Sequence, residues 1–246
     1  EVQEAGLRAI HNLCACQVPS STSGGYFAKP TRSRTFHFSK VEMRKFDTRG
    51  VLYDIATERG SSDWQNPATA GRVTVAWSSR GNSSAGPENL VANMVPRPSG
   101  TYTLDRPESW AMVGLGSGRR LLVNHYALRF AEELGGYELR HWELQGANAS
   151  DGPWTLLRLH ENDQSLQGCG HVAAWPVEDA KTPFSFFRIL HTGKHRGGKH
   201  HLCLGGIELY GRLIEPAPKP QPEAIGSPAA PLAPLKFTRF DQEYEQ

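Results

Sequence analysis

An all-β sandwich of antiparallel strands is the fold class that the sequence predicts. From Thr35 to Leu213 the chain consists of short β-type runs separated by clusters of Gly, Pro, Asn, Asp and Ser, which is the pattern of sandwiches and barrels. These runs follow one another without a helical pattern between them, which favours antiparallel pairing. The segment Ala-Ser-Asp-Gly-Pro at 149–153 lies between two tryptophan-bearing runs and predicts a hairpin turn.

The segment before the sandwich divides into a helix and a linker. Residues 1–18 begin with an apolar stripe at three- and four-residue spacing, formed by Val2, Gly6, Ala9, Ile10 and Leu13. This helix resembles the last helix of an armadillo-type repeat. Residues 19–34 are rich in Ser, Thr, Gly and Pro, a composition that buries too little apolar surface to offset the entropy of ordering. We therefore predict that the sandwich spans residues 35–213.

Within the sandwich, each predicted strand is a run of β-branched, aromatic and aliphatic residues. The runs lie at 35–38, 50–57, 72–79, 110–115, 120–130, 139–148, 154–160, 171–177, 184–190 and 201–211. Tryptophans lie within or beside many of these runs, and we expect most of the rings to fill the core.

The segment 214–246 predicts a proline-rich, extended tail. Prolines recur every few residues from Pro216 to Pro234, which favours a polyproline-like chain. The final segment, LKFTRFDQEYEQ at 235–246, departs from this composition and is a candidate for a return to order.

The composition excludes several functional classes. The 246 residues include 27 Lys plus Arg against 25 Asp plus Glu, and a net charge of +2 provides no general field for nucleic acid or an anionic membrane. No apolar stretch approaches the ~20 residues that span a bilayer, and the N-terminus lacks a signal-peptide pattern. The four cysteines are too sparse for a disulfide scaffold. We expect an intracellular, cytoplasmic location.

Several phrases, in this order and spacing, resemble the galactose-binding-like (discoidin, F5/8C-like) jelly-roll domain found in BTB-domain proteins and in a large ankyrin-repeat HECT ubiquitin ligase. They are FDTRGVLY at 46–53, WQNP at 64–67, SW at 109–110, YALR at 126–129, LRHWELQG at 139–146, SDGPW at 150–154, AWP at 174–176, FRI at 187–189, TGK at 192–194 and GIELYG at 206–211. The resemblance implies a discoidin-like sandwich with a recognition role in ubiquitin ligases, and it implies no catalytic residues.

The histidine-rich segment HTGKHRGGKHH, 191–201, raises the question of a metal site. Its imidazoles lack a further fixed ligand, and the interspersed lysines oppose a cation, so we predict neither a metal nor any other cofactor. Gly197 and Gly198 would free backbone N–H groups beside cations, which suits an anion or an acidic peptide. A solvated hairpin tip remains open as the plainer interpretation.

Catalytic patterns are weak in this sequence. The glycine-rich segment 114–119 leads into a β-type run and not into a helix, so it predicts a tight turn and not a phosphate loop. Ser109, His125 and Asp105 could form a triad on paper, but no nucleophile elbow accompanies them. We predict that the chain is not an enzyme.

Alternation of strand direction sorts the loops into two ends. Connections 79–109, 131–138, 161–170 and 192–200 fall at one end, and connections 58–71, 116–119, 148–153 and 178–183 fall at the other. The first set is longer, and long loops on a rigid scaffold are common recognition surfaces. We therefore predict a partner-binding surface formed by Arg97, Arg106, Glu108, Tyr137, Lys194, His195, Arg196 and Lys199.

Two functions remain open at this stage. The first is a protein-interaction module of a larger intracellular protein, a ubiquitin-ligase component or a scaffold, that recognises a protein or an acidic peptide. The second is a carbohydrate-binding module, which would require an exposed aromatic platform among the long loops. Tyr137 and Tyr102 are the aromatic residues there.

Overall fold

The computed structural model describes residues 31–39, 48–82, 84–94, 101–131 and 136–217. The predicted N-terminal helix at 1–18, most of the linker and nearly all of the tail lie outside these ranges. The elements in chain order are β1 (Thr31–Phe36), α1 (Val51–Ala56), β2 (Thr74–Trp77), a 3-10 helix (Pro87–Val91), β3 (Trp110–Gly114), β4 (Arg120–Arg129), β5 (Trp142–Ala147), β6 (Thr155–His160), β7 (Val172–Pro176), β8 (Phe186–His191) and β9 (Gly206–Pro216).

The strands form two antiparallel sheets, which confirms the predicted sandwich. One sheet has the order β1-β9-β4-β7 and the other has the order β2-β3-β8-β5-β6. Most strands that pair within a sheet are distant in sequence. For example, β4 pairs with β9, and β3 pairs with β8. The only consecutive strands that pair are β2 with β3 and β5 with β6, among the described residues. The β5–β6 connection is the predicted hairpin at 149–153, where Gly152 N–H donates to the Ala149 carbonyl over 3.2 Å.

The core lies between the two sheets and follows the two-residue period of the strands. In β8, Phe187 and Ile189 are fully buried, whereas Phe186, Arg188 and Leu190 face outward and are half-buried. Trp142 and Tyr126 are the largest of the fully buried side chains. Of the six tryptophans, only Trp142 and Trp175 are buried, so the expectation that most of the rings fill the core is wrong.

A chain of hydrogen bonds crosses this core and ties the sheets together. The Tyr126 hydroxyl on β4 lies 2.6 Å from His160 Nε2 on β6, and His160 Nδ1 lies 2.7 Å from Asp163 Oδ2. Trp142 Nε1–H donates to the Tyr126 hydroxyl over 3.0 Å, and Trp175 Nε1–H donates to Asp163 Oδ2 over 3.0 Å. Each polar atom in this hydrogen-bond network has a partner, so the network is buried without an unsatisfied donor or acceptor.

The run at 50–57 is a helix, which corrects the predicted strand. α1 has no side-chain cap of its own, because Gly50 occupies the N-cap position. Glu208 on β9 replaces that cap: its carboxylate accepts the N–H of Leu52 over 2.7 Å and the N–H of Tyr53 over 3.0 Å. A Cβ at position 50 would lie 2.1 Å from Glu208 Cδ, so the approach of that carboxylate requires glycine.

The sandwich extends beyond both predicted boundaries. β1 begins at Thr31, inside the segment predicted as a linker, and it pairs with β9, which continues to Pro216 inside the predicted tail. The Glu215 carboxylate fixes this extension, because it accepts hydrogen bonds from Arg34, Arg59 and Arg119. The strands of the sandwich therefore run from residue 31 to residue 216.

No helical segment within the described ranges has the length and apolarity that a bilayer crossing requires.

Candidate functional site

Backbone contacts bring the predicted recognition loops together at one end of the sandwich. His200 N–H donates to Asp105 Oδ1 over 2.7 Å, which joins the 192–200 loop to the 79–109 connection. Arg196 N–H donates to the Glu138 carbonyl over 3.1 Å, which joins the same loop to the 131–138 connection. The predicted sorting of these three connections to a common end is confirmed.

The 192–200 loop is a compact turn whose glycines serve its own packing. His195 N–H donates to the Lys199 carbonyl over 2.9 Å, and Gly198 N–H donates to the His195 carbonyl over 2.9 Å. Gly197 N–H donates to the Gly136 carbonyl over 2.6 Å, and a Cβ on Gly197 would lie 2.7 Å from that oxygen. The expectation that Gly197 and Gly198 present free N–H groups to an anion is therefore wrong.

The cations of this loop remain available to a partner. Lys194 and Lys199 are exposed and form no ion pair with any described residue. Arg196 is also exposed, although its Nη1 lies 3.3 Å from the buried Glu138 Oε1. Arg106 is exposed on the neighbouring connection, again without an ion pair in the described ranges. Four cations thus face solvent at this end.

The remaining predicted site residues occupy different environments. Glu108 is exposed just before β3 with a φ of 57°, and it is the one acidic member of the predicted set. Arg97 lies outside the described residues. His195 is only 5% exposed, so it supports the loop from beneath and does not face a partner.

A row of aromatic rings reaches the cationic loop at His195. The Tyr137 ring centroid is 5.1 Å from that of His195 and 5.6 Å from that of His201. The next ring in the row is Tyr102, whose centroid is 6.0 Å from that of His201. The predicted Tyr137 is thus one member of a continuous aromatic row.

Beyond Tyr102, this row opens into an apolar groove that the sequence did not reveal. The groove has a volume of about 330 Å³, and its walls include Trp77, Tyr102 and Pro87. Thr101 also lines it, although its hydroxyl is buried and has no hydrogen-bond partner in the described part of the chain. Trp77 lies at the end of β2, and the sequence predicted that its ring fills the core. The groove can be identified only from the exposure of this ring in the folded structure.

The histidines are too far apart to share a metal ion. The ring centroids of His191 and His195 are 6.5 Å apart, and those of His195 and His201 are 6.1 Å apart. Two imidazoles on one tetrahedral zinc have centroids about 5 Å apart, given Zn–N bonds of about 2.0 Å. Among the described residues, no group of three or more His, Cys, Asp or Glu side chains is placed to hold a metal. That the fold needs no metal stays a prediction.

Burial keeps two of these histidines neutral. It lowers the pKa of His191 to about 4, although the hydrogen bond from Nδ1 to the His200 carbonyl acts in the opposite direction. Burial also lowers the pKa of His195. His191 and His195 therefore add no positive charge to this end near neutral pH.

The residues considered for a catalytic triad do not form one. Ser109 Oγ donates to the Arg106 carbonyl over 2.8 Å, and Asp105 accepts the His200 N–H. His125 lies on the outer side of the four-stranded sheet, stacked on Phe38 at 5.1 Å. The three side chains therefore have different partners and do not contact one another as a triad would.

No protein-family model matches the chain. Its sequence is 32% identical over 201 residues to the E3 ubiquitin-protein ligase Ufd4 of Drosophila melanogaster, which covers 74% of the chain and 7% of that protein. It is 33% identical over 181 residues to the E3 ubiquitin-protein ligase hecd-1 of Caenorhabditis elegans, which covers 71% of the chain and 7% of that protein. A BTB/POZ domain-containing protein of Arabidopsis thaliana is 33% identical over 179 residues, which covers 69% of the chain and 21% of that protein.

These relatives confirm the resemblance to the domain of ubiquitin ligases and BTB proteins. The chain spans only a small part of each relative's length. Among solved structures, the F5/8 type C domain of a Bacteroides fragilis protein has a TM-score of 0.45 at 16% identity, over 57% of this chain and 92% of that one. The family 32 carbohydrate-binding module of Clostridium perfringens NanJ, solved in complex with galactose, has a TM-score of 0.44 at 15% identity, over 57% of this chain and 94% of that one.

Proposed function

We propose that the chain is a non-catalytic interaction module that recognises a protein or peptide within a larger intracellular protein, as part of a ubiquitin ligase or a scaffold. Two of its relatives are E3 ubiquitin-protein ligases, and the chain corresponds to a small part of each. A separate sandwich in such a protein is suited to hold a substrate or a partner while other segments perform the chemistry.

The observation that carries this proposal is the continuity of the aromatic groove with the cationic loop. The row that runs from Trp77 and Tyr102 through His201 and Tyr137 ends at His195, in the loop that carries Lys194 and Lys199. An extended peptide that crosses this row would meet an apolar surface first and cations next. The matching ligand is a peptide with one or two apolar side chains followed by acidic residues.

The two halves of this surface contribute differently to binding. Aromatic pockets usually carry most of the affinity of a small interface, because large rings exclude water at low entropic cost. Exposed cations contribute about 0.2 to 1 kcal/mol each and act mainly on association rate and specificity. We therefore expect the groove to set the affinity and the loop to select acidic partners.

The side chains of the fold support a role without catalysis. Tyr126, His160 and Asp163 are joined in the order of a catalytic relay, but Tyr126 is completely buried and His160 is 4% exposed. A substrate cannot reach either group. Burial also raises the pKa of the Tyr126 hydroxyl, which therefore stays protonated and serves as a structural donor.

The test is peptide binding to the full chain and to a variant with Lys194→Ala, Arg196→Ala and Lys199→Ala. Peptides are first selected on the chain from a random displayed library, and we expect apolar residues next to Asp or Glu among those enriched. The triple variant should bind a selected peptide about tenfold more weakly, since three rim charges together contribute about 1.4 kcal/mol. The affinity of the unmodified chain should also fall as salt rises.

A matched control removes the same net charge from elsewhere on the sandwich. Arg32, Arg120 and Arg212 are exposed on the four-stranded sheet, and their replacement by Ala should leave peptide affinity unchanged. An equal loss in both variants would mean that only overall charge matters. Unchanged affinity in the loop variant, at an unchanged melting temperature, would place the site elsewhere.

Glycan recognition is the second candidate, and the groove is the observation that favours it. Trp77 and Tyr102 supply the aromatic surfaces on which a sugar ring can stack. Titration of the chain with an oligosaccharide panel discriminates the two functions. Saturable binding that is lost with Tyr102→Ala and kept in the loop variant would favour the glycan.

A further inference from the structure

A polar cavity lies at the end of the sandwich opposite the predicted recognition loops. The 131–138 connection of those loops follows β4, which ends at Arg129, whereas the cavity lies beside Arg119, where β4 begins. The ten residues of β4 hold these two positions roughly 30 Å apart, at about 3.3 Å per residue. The cavity has a volume of about 420 Å³, within the range of about 300 to 1,000 Å³ usual for small-molecule sites. It is therefore a separate candidate for a binding site.

Four arginines and three carboxylates form the charged walls of this cavity. They are Arg34 on β1, Asp54 in α1, Glu58, Arg59 and Arg72 in the connection after α1, Arg119 just before β4 and Glu215 on β9. Arg34 binds Asp54 through two hydrogen bonds, over 2.8 and 2.7 Å. Arg72 pairs with Glu58. The remaining groups are two arginines and one carboxylate, so one positive charge has no counterpart among the residues that line the cavity.

The excess charge belongs to Arg59 and Arg119, which share the Glu215 carboxylate. Arg59 Nη2 lies 3.1 Å from Glu215 Oε2, and Arg119 Nε lies 3.3 Å from Glu215 Oε1. Both distances exceed the about 2.7 to 2.9 Å of a strong charge-assisted hydrogen bond. Although burial acts to raise it, the pKa of Glu215 is lowered by Arg34, Arg59 and Arg119. The carboxylate therefore stays ionised and holds the two guanidiniums close to each other.

Both guanidiniums retain unused hydrogen-bond donors. Among the described residues, the Arg59 guanidinium donates only through Nη2, and that of Arg119 donates only through Nε and Nη1. The Arg59 side chain is 51% exposed, so its remaining N–H groups can meet a ligand that enters from solvent.

The backbone that carries Arg59 is strained. Glu58 and Arg59 have φ values of 50° and 66°, in the left-handed region that residues other than glycine rarely adopt. Strained residues of this kind cluster at binding and active sites, where the surrounding structure holds them in place. The strain is thus a second indication, independent of the charge, that this connection presents Arg59 for a purpose.

We propose that this cavity binds a phosphate monoester, with the phosphate oxygens held by Arg59 and Arg119. A phosphate monoester carries about −1.5 to −2 charges at pH 7 and presents three strong acceptor oxygens. A carboxylate carries one charge and two oxygens in a single plane, so it satisfies fewer of the free donors. Arginine is well suited to this ligand, because its planar guanidinium binds phosphate through paired N–H groups.

The test is a titration of the full chain with inorganic phosphate at constant ionic strength. The NMR signal of the Gly60 amide, next to Arg59, should shift saturably with a dissociation constant of the order of 1 mM. Arg59→Gln should weaken this binding about tenfold, because it removes hydrogen bonds to a charged group. Arg212→Gln, at an exposed position of β9, is the matched control and should leave the affinity unchanged.

A second variant separates binding from structural support. Glu58 is 53% exposed, and Glu58→Gln removes a negative charge from the cavity without removing an arginine. This variant should bind phosphate about threefold more tightly, since exposed charges have effects of this size. An ion pair that only supports the fold would not raise the affinity when it is broken.

Comparison of probes identifies the source of the phosphate group. Tighter binding of N-acetyl-phosphoserine amide than of inorganic phosphate would indicate a phosphorylated side chain, and equal binding would indicate that the phosphate group alone is recognised. Both results support the proposal. Acetate that binds as tightly as phosphate, an unchanged affinity in Arg59→Gln or the lack of any saturable shift would overturn it.

Discussion

The Tyr126 hydroxyl shows how a single atom joins the two sheets. It accepts the Trp142 indole N–H and donates to His160 Nε2, whose ring stacks on Trp142 at a centroid distance of 4.0 Å. Replacement of Tyr126 by Phe preserves the ring and its packing but removes both hydrogen bonds. The indole N–H and the imidazole nitrogen would then be buried without partners.

We therefore expect Tyr126→Phe to lower the free energy of unfolding by about 3 kcal/mol, since each buried donor or acceptor left without a hydrogen-bond partner costs about 1 to 3 kcal/mol. Urea denaturation monitored by tryptophan fluorescence measures this loss. Tyr53→Phe is the matched control, because that half-buried hydroxyl forms no hydrogen bond with a described residue. A loss below about 0.5 kcal/mol for Tyr126→Phe would mean that water or rearrangement satisfies the network.

Among the elements, α1 depends on a residue from a distant strand. Its six residues are too few to form a helix alone, because nucleation is costly and isolated helices below about 12 residues are marginal. Its buried side, which includes Val51, Leu52 and Ile55, packs on the sandwich, and Glu208 accepts the N–H groups at its start. The helix therefore exists only when β9 is in place.

Glu208→Gln should destabilise the fold by about 2 kcal/mol, because the amide of Gln presents an NH₂ to one of the two helix N–H groups and leaves it unpaired. The same variant should speed hydrogen exchange of the Leu52 and Tyr53 amides, which NMR resolves individually. Glu161→Gln, in an exposed turn, should change neither quantity. Unchanged exchange at Leu52 in the Glu208 variant would show that the helix does not need this cap.

For the whole molecule, buried histidines link stability to pH. Burial lowers the pKa of His160 and His195 and lowers that of His191 to about 4, so all three stay neutral in the folded chain near neutral pH. In the unfolded chain a histidine binds its proton near pH 6.5. The unfolded state therefore binds more protons below that pH, and folding stability falls as pH falls from about 6.5 towards 4.

His191 alone should contribute about 2 kcal/mol to the loss of stability between pH 7 and pH 5, from the difference between pKa values of about 6.5 and 4. Unfolding free energies measured across this range should show a shallower pH dependence for His191→Asn than for the unmodified chain. The exposed His37→Asn variant should retain the full dependence. Parallel pH profiles for all three proteins would show that His191 is protonated as readily in the folded chain as in the unfolded one.

How far sequence reasoning succeeds depends on the range of the interactions. The Asp151-Gly152 turn and the glycine-rich turn at 114–119 were predictable because local backbone conformation decides them. The run at 50–57 was misassigned, since its β-type residues become helical only under a cap from Glu208. The groove was missed because Trp77 and Tyr102 approach each other only when the long connection folds back on β2.

By itself, the sequence determined the sandwich class, most strand positions and the sorting of the loops. These follow from the two-residue period and from turn residues, which act within a few positions along the chain. Only the tertiary structure decided that the N–H groups of Gly197 and Gly198 are satisfied internally and that His195 is buried. It also decided that Arg188 packs on the Trp154 ring. These properties depend on neighbours that are distant in sequence, and a linear pattern does not specify which of them meet.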